Sequence, residues 1–103
     1  EVENEVNAHD EVVECAVVPI ASTDTEQEVL AVIVLQPEEQ IDPESLIRFL
    51  EPRLPYFMIP RYIRFVDVLP KTPTGKIQKY VVRELGLTEG TWDREAAGVK
   101  LKR

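Results

Sequence analysis

The chain has 103 residues, a formal net charge of -7 at pH 7, one cysteine and one histidine. This length is enough for one small domain with a modest apolar core. A single cysteine excludes an internal disulfide framework, and no apolar run approaches the roughly 20 residues that a membrane-spanning helix needs. General nucleic-acid binding is not expected either, because such proteins carry a basic surplus. We therefore expect a cytoplasmic domain with no membrane span and no nucleic-acid partner.

The charges are distributed unevenly along the chain. Residues 1 to 47 contain 13 acidic side chains and no Lys or Arg, whereas residues 48 to 103 contain all 12 basic side chains and 6 acidic ones. One interpretation is that acidic and basic faces only confer solubility. The other is a basic edge that binds phosphates, centred on Lys76.

The first part of the chain predicts a helix and two strands. A short helix is expected from the beginning of the chain to about His9. Val12–Ile20 and Val29–Leu35 are β-branched runs of strand length and are apolar enough to be largely buried. The polar segment Ala21–Glu28 between them is expected to be a loop.

The clearest helix signal starts at Asp42, an N-cap residue followed by a proline suited to the first helical position. The apolar residues that follow recur at helical spacing: Leu46, Ile47, Phe49, Leu50 and Leu54. Two prolines then favour an extended Tyr56–Pro60 segment, and alternation predicts a third strand over Tyr62–Val68.

The end of the chain predicts a last helix and a polar tail. The helix has an apolar stripe that ends before Gly86: Ile77, Val81, Val82 and Leu85. Residues 87–103 are expected to form a loosely packed tail, with Trp92 packed against the domain. The order of elements predicts an α+β domain, in which a small mixed sheet of about three strands is flanked by helices.

A stiff lysine-containing loop precedes the last helix. Pro70 and Pro73 restrict φ and Gly75 permits a backbone shape that other residues resist, so the loop can present Lys76 in a defined direction. A phosphate-binding P-loop is excluded, because it needs a glycine where Pro70 stands and a Ser or Thr where Ile77 stands. A preorganised cation can still stabilise charge that develops in a transition state. The loop therefore predicts an anion site at Lys76.

The same loop resembles a known signature. It is similar to the motif near the C-terminus of the adenylate-forming (acyl-CoA synthetase, AMP-binding) superfamily: Pro70-Lys71-Thr72-Pro73-Thr74-Gly75-Lys76-Ile77. The resemblance extends over most of the chain. The tail, from Lys79-Tyr80 to Thr91-Trp92-Asp93-Arg94-Glu95, most resembles acyl-CoA synthetases of the crotonobetaine/carnitine-CoA ligase type, and this resemblance implies a role in fatty acid metabolism.

The resemblance implies that residues 1–103 are the mobile C-terminal domain of a larger ligase. Its partner would be a large N-terminal domain of the same chain, and its substrate a carboxylic acid. ATP, Mg²⁺ and CoA would serve the full-length enzyme, with none bound to the fragment, which would be inactive alone. Lys76 would be the catalytic lysine of adenylation, with Gly75 beside it at the ATP and acyl-adenylate site. Phe57 and Arg61, together with Tyr56, would lie near CoA.

Three alternatives remain open from the sequence. The domain could be a non-catalytic module that binds anions or another protein through its basic face. The acyl acceptor could be a carrier protein or oxygen instead of CoA. Tyr56 and Phe57 could simply pack in the core or at the sheet edge. The acyl substrate cannot be identified from this chain, because its pocket would lie in the large domain.

Overall fold

The structure is a computed structural model that describes residues 2–21, 27–38, 40–88 and 90–101. In these ranges it contains three α-helices, four strands and one 3₁₀ turn. The helices and strands in chain order are α1 Val2–Asn7, β1 Val12–Ala21, β2 Gln27–Leu35, α2 Pro43–Leu50, β3 Tyr62–Val66, α3 Lys79–Leu85 and β4 Trp92–Asp93. The 3₁₀ turn is Tyr56–Met58. The prediction of an α+β domain is confirmed.

The four strands form one mixed sheet in the order β1-β2-β3-β4. β1 and β2 are antiparallel, β2 and β3 are parallel, and β3 and β4 are antiparallel. Parallel neighbours need a crossover connection, and α2 lies in the connection between β2 and β3. The mixed sheet is thus as predicted, with one more strand than the three expected from the sequence.

Both faces of the sheet are covered. In β2, Ala31 and Ile33 belong to one buried cluster and Leu30 and Val32 to another, so alternate residues point to opposite faces. A strand buried on both faces needs the continuous apolar run that the sequence shows there. The first cluster includes residues of α1 and α2: Val6, Leu46, Ile47 and Leu50. The second includes Leu69, which precedes the lysine loop, and Val82 of α3.

The local signals around α2 operate as predicted, with one difference. Asp42 occupies the N-cap position with Pro43 at the start of the helix, although the Asp42 side chain makes no capping hydrogen bond. The helix ends at Leu50, before Pro52, which is where proline would interrupt helical hydrogen bonding. Leu54 lies beyond the helix but is still buried, because the turn returns it to the first cluster.

Three further segments differ from the sequence expectations. Tyr56–Met58 is a 3₁₀ turn, closed by N–H donation from Met58 and Ile59 to the carbonyls of Pro55 and Tyr56, and is not extended. β3 ends at Val66, and Val68 is exposed. The loop expected over Ala21–Glu28 is shorter, because Ala21 ends β1 and Gln27 begins β2; residues 22–26 lie outside the described residues.

Part of the expected tail is ordered against the domain. Trp92 and Asp93 form β4, paired with Ile63 and Tyr62 of β3. Val99 is buried in the first cluster, and Trp92 packs against that cluster as expected. The backbone of the tail is also held to the domain by a hydrogen bond, in which the N–H of Arg94 donates to the carbonyl of Arg61 at 2.8 Å.

The fold brings the acidic and basic halves of the sequence together. Among the described residues, five ion pairs join a basic residue of the second half to an acidic residue of the first. One of them, Arg48–Glu44 at 3.7 Å, lies within α2, and the other four connect segments that are distant along the chain. These four are Lys79–Glu3, Lys71–Glu14, Arg53–Glu5 and Arg61–Glu28, at N···O distances of 2.7, 2.9, 3.5 and 3.9 Å. Among the residues described, no helix is both long and apolar enough to cross a membrane.

Candidate functional site

The lysine loop is a small hairpin between β3 and α3. Lys71 and Ile77 form an antiparallel bridge across its two legs. Below this bridge, the Gln78 N–H donates to the carbonyl of Pro70 at 2.8 Å. Ile77 therefore closes the hairpin, where helical spacing had placed it in the last helix; it still packs on the second buried cluster.

The tip of the hairpin is closed by Thr72. Its N–H donates to the carbonyl of Lys76 at 2.8 Å, and its own carbonyl accepts the N–H of Gly75 at 2.9 Å. Its Oγ1 accepts the N–H of Lys76 at 3.1 Å and lies 3.0 Å from the Thr74 hydroxyl. These short-range bonds give the tip a defined shape although it is exposed to solvent.

Gly75 adopts a backbone conformation that L-residues rarely take, with φ of 89°. A Cβ built at this position would meet nothing within 4 Å. The requirement for glycine here is therefore conformational and not steric. The turn in the chain at Gly75 directly precedes Lys76 and so sets the direction of its side chain.

The three lysines of this region have different surroundings. Lys71 Nζ contacts Glu14 of β1, and Lys79 Nζ contacts Glu3 of α1. The Lys76 side chain is exposed and makes no ion pair or hydrogen bond with any residue in the described ranges. Of these three lysines, Lys76 is therefore the one whose charge has no ion-pair partner among the described residues.

Glu3 links the loop region to the edge of the sheet. One of its carboxylate oxygens accepts from Lys79 Nζ at 2.7 Å, and the other accepts the N–H of Val17 in β1 at 2.9 Å. Since β1 is an edge strand, this bond satisfies a backbone donor that has no neighbouring strand. The start of α3 is thus attached to α1 and β1 through one side chain.

The residues expected near CoA lie in a different part of the domain. Phe57 is 71% exposed, and its ring meets Tyr56 edge-on at a centroid distance of 5.8 Å. Both belong to the 3₁₀ turn before β3. The lysine loop is attached at the β1 edge of the sheet, whereas Arg61 is bonded to β4 at the opposite edge. The structure brings Gly75 and Lys76 together but does not join them to Phe57 and Arg61.

Arg61 is held by carboxylates. Its Nε and Nη2 donate to the two oxygens of Asp93 at 3.0 and 3.2 Å, and Glu95 and Glu28 lie at 3.8 and 3.9 Å. The hydrogen bonds to Asp93 raise the pKa of Arg61, and the same bonds lower the pKa of Asp93. In this arrangement the guanidinium fastens β4 to the start of β3. Asp93 was missed by sequence reasoning, because its partner is distant along the chain.

An open cleft of about 920 Å³ lies beside this ion-pair network. Phe57 and Tyr56 form part of its wall, and basic side chains of the tail form another part. The charged residues in the lining are the basic Arg94 and Lys100 and the acidic Glu28 and Glu95. Arg94 is partly engaged, because its Nε donates to the carbonyl of Pro60 at 3.3 Å.

The remaining reactive side chains are explained by packing. Cys15 is buried, and burial raises the pKa of its thiol to about 12, so it is not a nucleophile at neutral pH. His9 accepts the N–H of Glu11 through Nδ1 at 3.1 Å, and its ring packs edge-on against Phe49. Within the described part of the chain, no group of three or more His, Cys, Asp or Glu residues could hold a metal ion.

The fold and the lysine hairpin define a small domain that presents the Lys76 side chain on a hairpin attached to the β1 edge of the sheet. The family model of the AMP-binding enzyme C-terminal domain matches residues 1–76, which include the whole hairpin tip and Lys76. The chain belongs to this family, the C-terminal domain of the adenylate-forming superfamily that contains the acyl-CoA ligases.

Individual relatives are full-length enzymes. The trans-cinnamate:CoA ligase of Petunia hybrida, named as peroxisomal, is 33% identical over 90% of this chain. The crystal structure of apo MatB from Rhodopseudomonas palustris is 37% identical over 82% of the chain, with a TM-score of 0.77. The amide bond synthetase McbA from Marinactinospora thermotolerans is 33% identical over 82%, with a TM-score of 0.76. The chain spans only 16% of the first relative and 17% of the two solved chains.

Proposed function

We propose that this chain is the mobile C-terminal domain of an ATP-dependent acyl-CoA synthetase and that Lys76 is its adenylation lysine. One observation carries the proposal. Lys76 is an exposed cation without an ion-pair partner among the described residues, and it stands on a hairpin whose backbone is fixed by hydrogen bonds. Lys71 and Lys79, its basic neighbours, are already neutralised by glutamates. The family membership of the chain supports the same assignment.

In the first half-reaction a carboxylate oxygen of the substrate attacks the α-phosphorus of ATP, and pyrophosphate leaves. The Lys76 ammonium would bridge the substrate carboxylate and the α-phosphate, where negative charges must approach and be redistributed. A preorganised cation at that position lowers the barrier, because it offsets the repulsion and stabilises the transition state. An unpaired lysine is suited to this task, since no internal ion pair must first be broken.

In the second half-reaction the CoA thiol attacks the acyl carbon, and AMP leaves. Lys76 has no role in this step, so the domain can rotate it away and present another surface. The lysine loop is attached at the β1 edge of the sheet, whereas Phe57 lines a cleft together with tail residues that follow β4, and this separation supports such a division. Phe57 is an exposed aromatic ring beside a cleft whose lining carries both basic and acidic side chains, and it is our candidate for a contact with CoA.

Arg61 and Mg²⁺ have other places in the proposed reaction. Arg61 would reach CoA only if its bonds to Asp93 were released, so the geometry favours a structural task for it in the state described here. Mg²⁺, which prefers oxygen ligands and substrate phosphates, would be held by the triphosphate and by the large N-terminal domain. We also propose, on the resemblance of the tail sequence, a parent of the crotonobetaine/carnitine-CoA ligase type that would act in cytoplasmic fatty acid metabolism.

The test is a comparison of the two half-reactions in the full-length enzyme with Lys76→Ala. We expect acyl-adenylate formation to fall by about 10²-fold or more, since a preorganised donor has this magnitude. Thioester formation from supplied acyl-AMP should largely survive. Arg83→Ala is the matched control, because it removes another exposed cation, from α3, and should change neither rate.

Unchanged rates for both steps in Lys76→Ala would overturn the assignment and favour a module that binds an anion or a protein partner. The acceptor is a separate question, because an amide bond synthetase is among the structural relatives. Identification of the product formed with CoA, with an amine and with a carrier protein would decide it. A thioester formed only with CoA supports the proposal.

A further inference from the structure

We propose that the hydroxyl of Thr72 is a positioning group for Lys76 and is needed for full adenylation activity. This inference rests on the proposed function, because it concerns how the same lysine is held. Thr72 would not contact the substrate. It would act through the backbone of Lys76.

Both backbone polar groups of Lys76 are bonded to Thr72. The N–H of Lys76 donates to Thr72 Oγ1 at 3.1 Å, and its carbonyl accepts the N–H of Thr72 at 2.8 Å. A residue held at both its N–H and its carbonyl has little freedom to rotate its Cα–Cβ direction. The bond from the main chain of Thr72 survives any substitution except proline, whereas the bond to Oγ1 depends on the side chain.

Backbone hydrogen bonds matter more for the position of Lys76 than for the positions of the neighbouring lysines. Lys71 and Lys79 are each held by an ion pair to a glutamate of β1 or α1. The Lys76 side chain has no such partner in the described part of the chain, so the hydrogen bonds of its backbone are what anchors this residue. A shift of the backbone at the hairpin tip would therefore displace the Lys76 ammonium, because no ion pair holds it in place.

The lower part of the hairpin is independent of the Thr72 side chain. The Lys71–Ile77 bridge and the Gln78 bond to Pro70 close the legs through backbone atoms. Loss of Oγ1 should loosen the tip and leave the legs and α3 in place. This predicts a kinetic defect without general unfolding.

Thr74 provides a matched control. Its hydroxyl lies 3.0 Å from that of Thr72, and Thr72 can donate its proton there while its oxygen accepts from Lys76. Removal of the Thr74 hydroxyl therefore leaves the bond to Lys76 intact. Thr72→Val removes Oγ1 at nearly constant volume, whereas Thr72→Ser retains it.

The experiment compares Thr72→Val, Thr72→Ser, Thr74→Val and Lys76→Ala in the full-length enzyme. For each variant, kcat and the KM for ATP are measured for acyl-adenylate formation, together with the rate of thioester formation from supplied acyl-AMP. We expect Thr72→Val to lower the adenylation kcat about threefold to tenfold, the range for one net hydrogen bond, with little change in KM. Thr72→Ser and Thr74→Val should stay within about twofold of the parent enzyme.

A second measurement reports the bond directly. Amide hydrogen exchange at Lys76 should be faster in Thr72→Val than in the parent enzyme and should be restored by Thr72→Ser. The inference is overturned if Thr72→Val adenylates as fast as the parent, if serine does not rescue, if Thr74→Val is equally slow, or if both half-reactions fall together. If Thr72→Val is unchanged while Lys76→Ala loses adenylation, the inference fails alone. If Lys76→Ala is unchanged, the proposed function fails with it.

Discussion

The bond between Arg61 and Asp93 is expected to stabilise the domain by holding β4 in place. Replacement of Asp93 by Asn removes the negative charge and one of the two acceptors that Arg61 Nε and Nη2 use. The same carboxylate also accepts the N–H groups of Glu95 and Ala96 at 2.9 and 3.4 Å, which shape the turn after β4. The perturbation therefore acts on the strand and on its turn together.

The expected loss of unfolding free energy is about 1–2 kcal/mol. Hydrogen bonds to charged groups contribute about 1.5–3 kcal/mol when one partner is removed from a buried site. The Arg61 and Asp93 side chains are 22% and 26% exposed, so solvent reduces this value. The carboxylates of Glu28 and Glu95, 3.9 and 3.8 Å from the guanidinium, also remain as partial substitutes.

Urea unfolding of the chain measures this loss, with Trp92 fluorescence and far-UV circular dichroism as probes. Trp92 is the single tryptophan and adjoins Asp93, so its fluorescence reports on β4. Glu95→Gln is the control, because Glu95 is 55% exposed and its pair should contribute less than about 0.5 kcal/mol. Equal stability of Asp93→Asn and the parent chain would refute the reasoning.

The pH dependence gives an independent check. The pKa of Asp93 is lowered in the folded state, so its contribution is present above the ordinary Asp value of about 3.9 and is lost as pH falls through the lowered value. The stability difference between the parent chain and Asp93→Asn should therefore be constant near neutrality and shrink below about pH 4. A difference that grows on acidification would contradict this sign.

Three further predictions concern the core, the thiol and the loop. Leu46→Ala should lower the unfolding free energy by about 2–5 kcal/mol in urea titrations, because Leu46 is fully buried, whereas the exposed Leu85→Ala should change it by less than about 0.5 kcal/mol. Cys15, whose thiol pKa is raised to about 12, should react with a disulfide reagent at pH 8 far more slowly in the folded chain than in urea, and equal rates would contradict its burial. Gly75→Ala should introduce about 1 kcal/mol of backbone strain at the hairpin tip, because Gly75 has a positive φ. It should slow acyl-adenylate formation and leave thioester formation from acyl-AMP unchanged. An unchanged adenylation rate would show that the loop tolerates another backbone shape.

Much of the fold follows from local sequence signals. Proline and an acidic N-cap residue mark the start of α2, and proline at position 52 marks where helical bonding stops. β-Branched runs predict β1 and β2 within one or two residues. The weaker predictions were short elements. Tyr56–Met58 is a 3₁₀ turn where the sequence predicted an extended segment, because a turn this short and an extended chain differ little in free energy. β4 has two residues and too little pattern to be recognised.

The sequence by itself determined that the lysine loop is stiff, because the φ restrictions of Pro70 and Pro73 and the freedom of Gly75 act within a few residues. The hairpin that Ile77 closes was visible only in the structure. It also determined that Lys76 follows the turn, and the motif around it indicated the family.

Only the tertiary structure decided which cations remain available. Lys79 pairs with Glu3, which is 76 residues away in the sequence, and Arg61 pairs with Asp93, which is 32 residues away. The first 47 residues offer 13 acidic side chains, and nothing local distinguishes the ones that will pair. The choice depends on which strands and helices become neighbours, since an ion pair forms only where packing brings the two groups within a few ångströms.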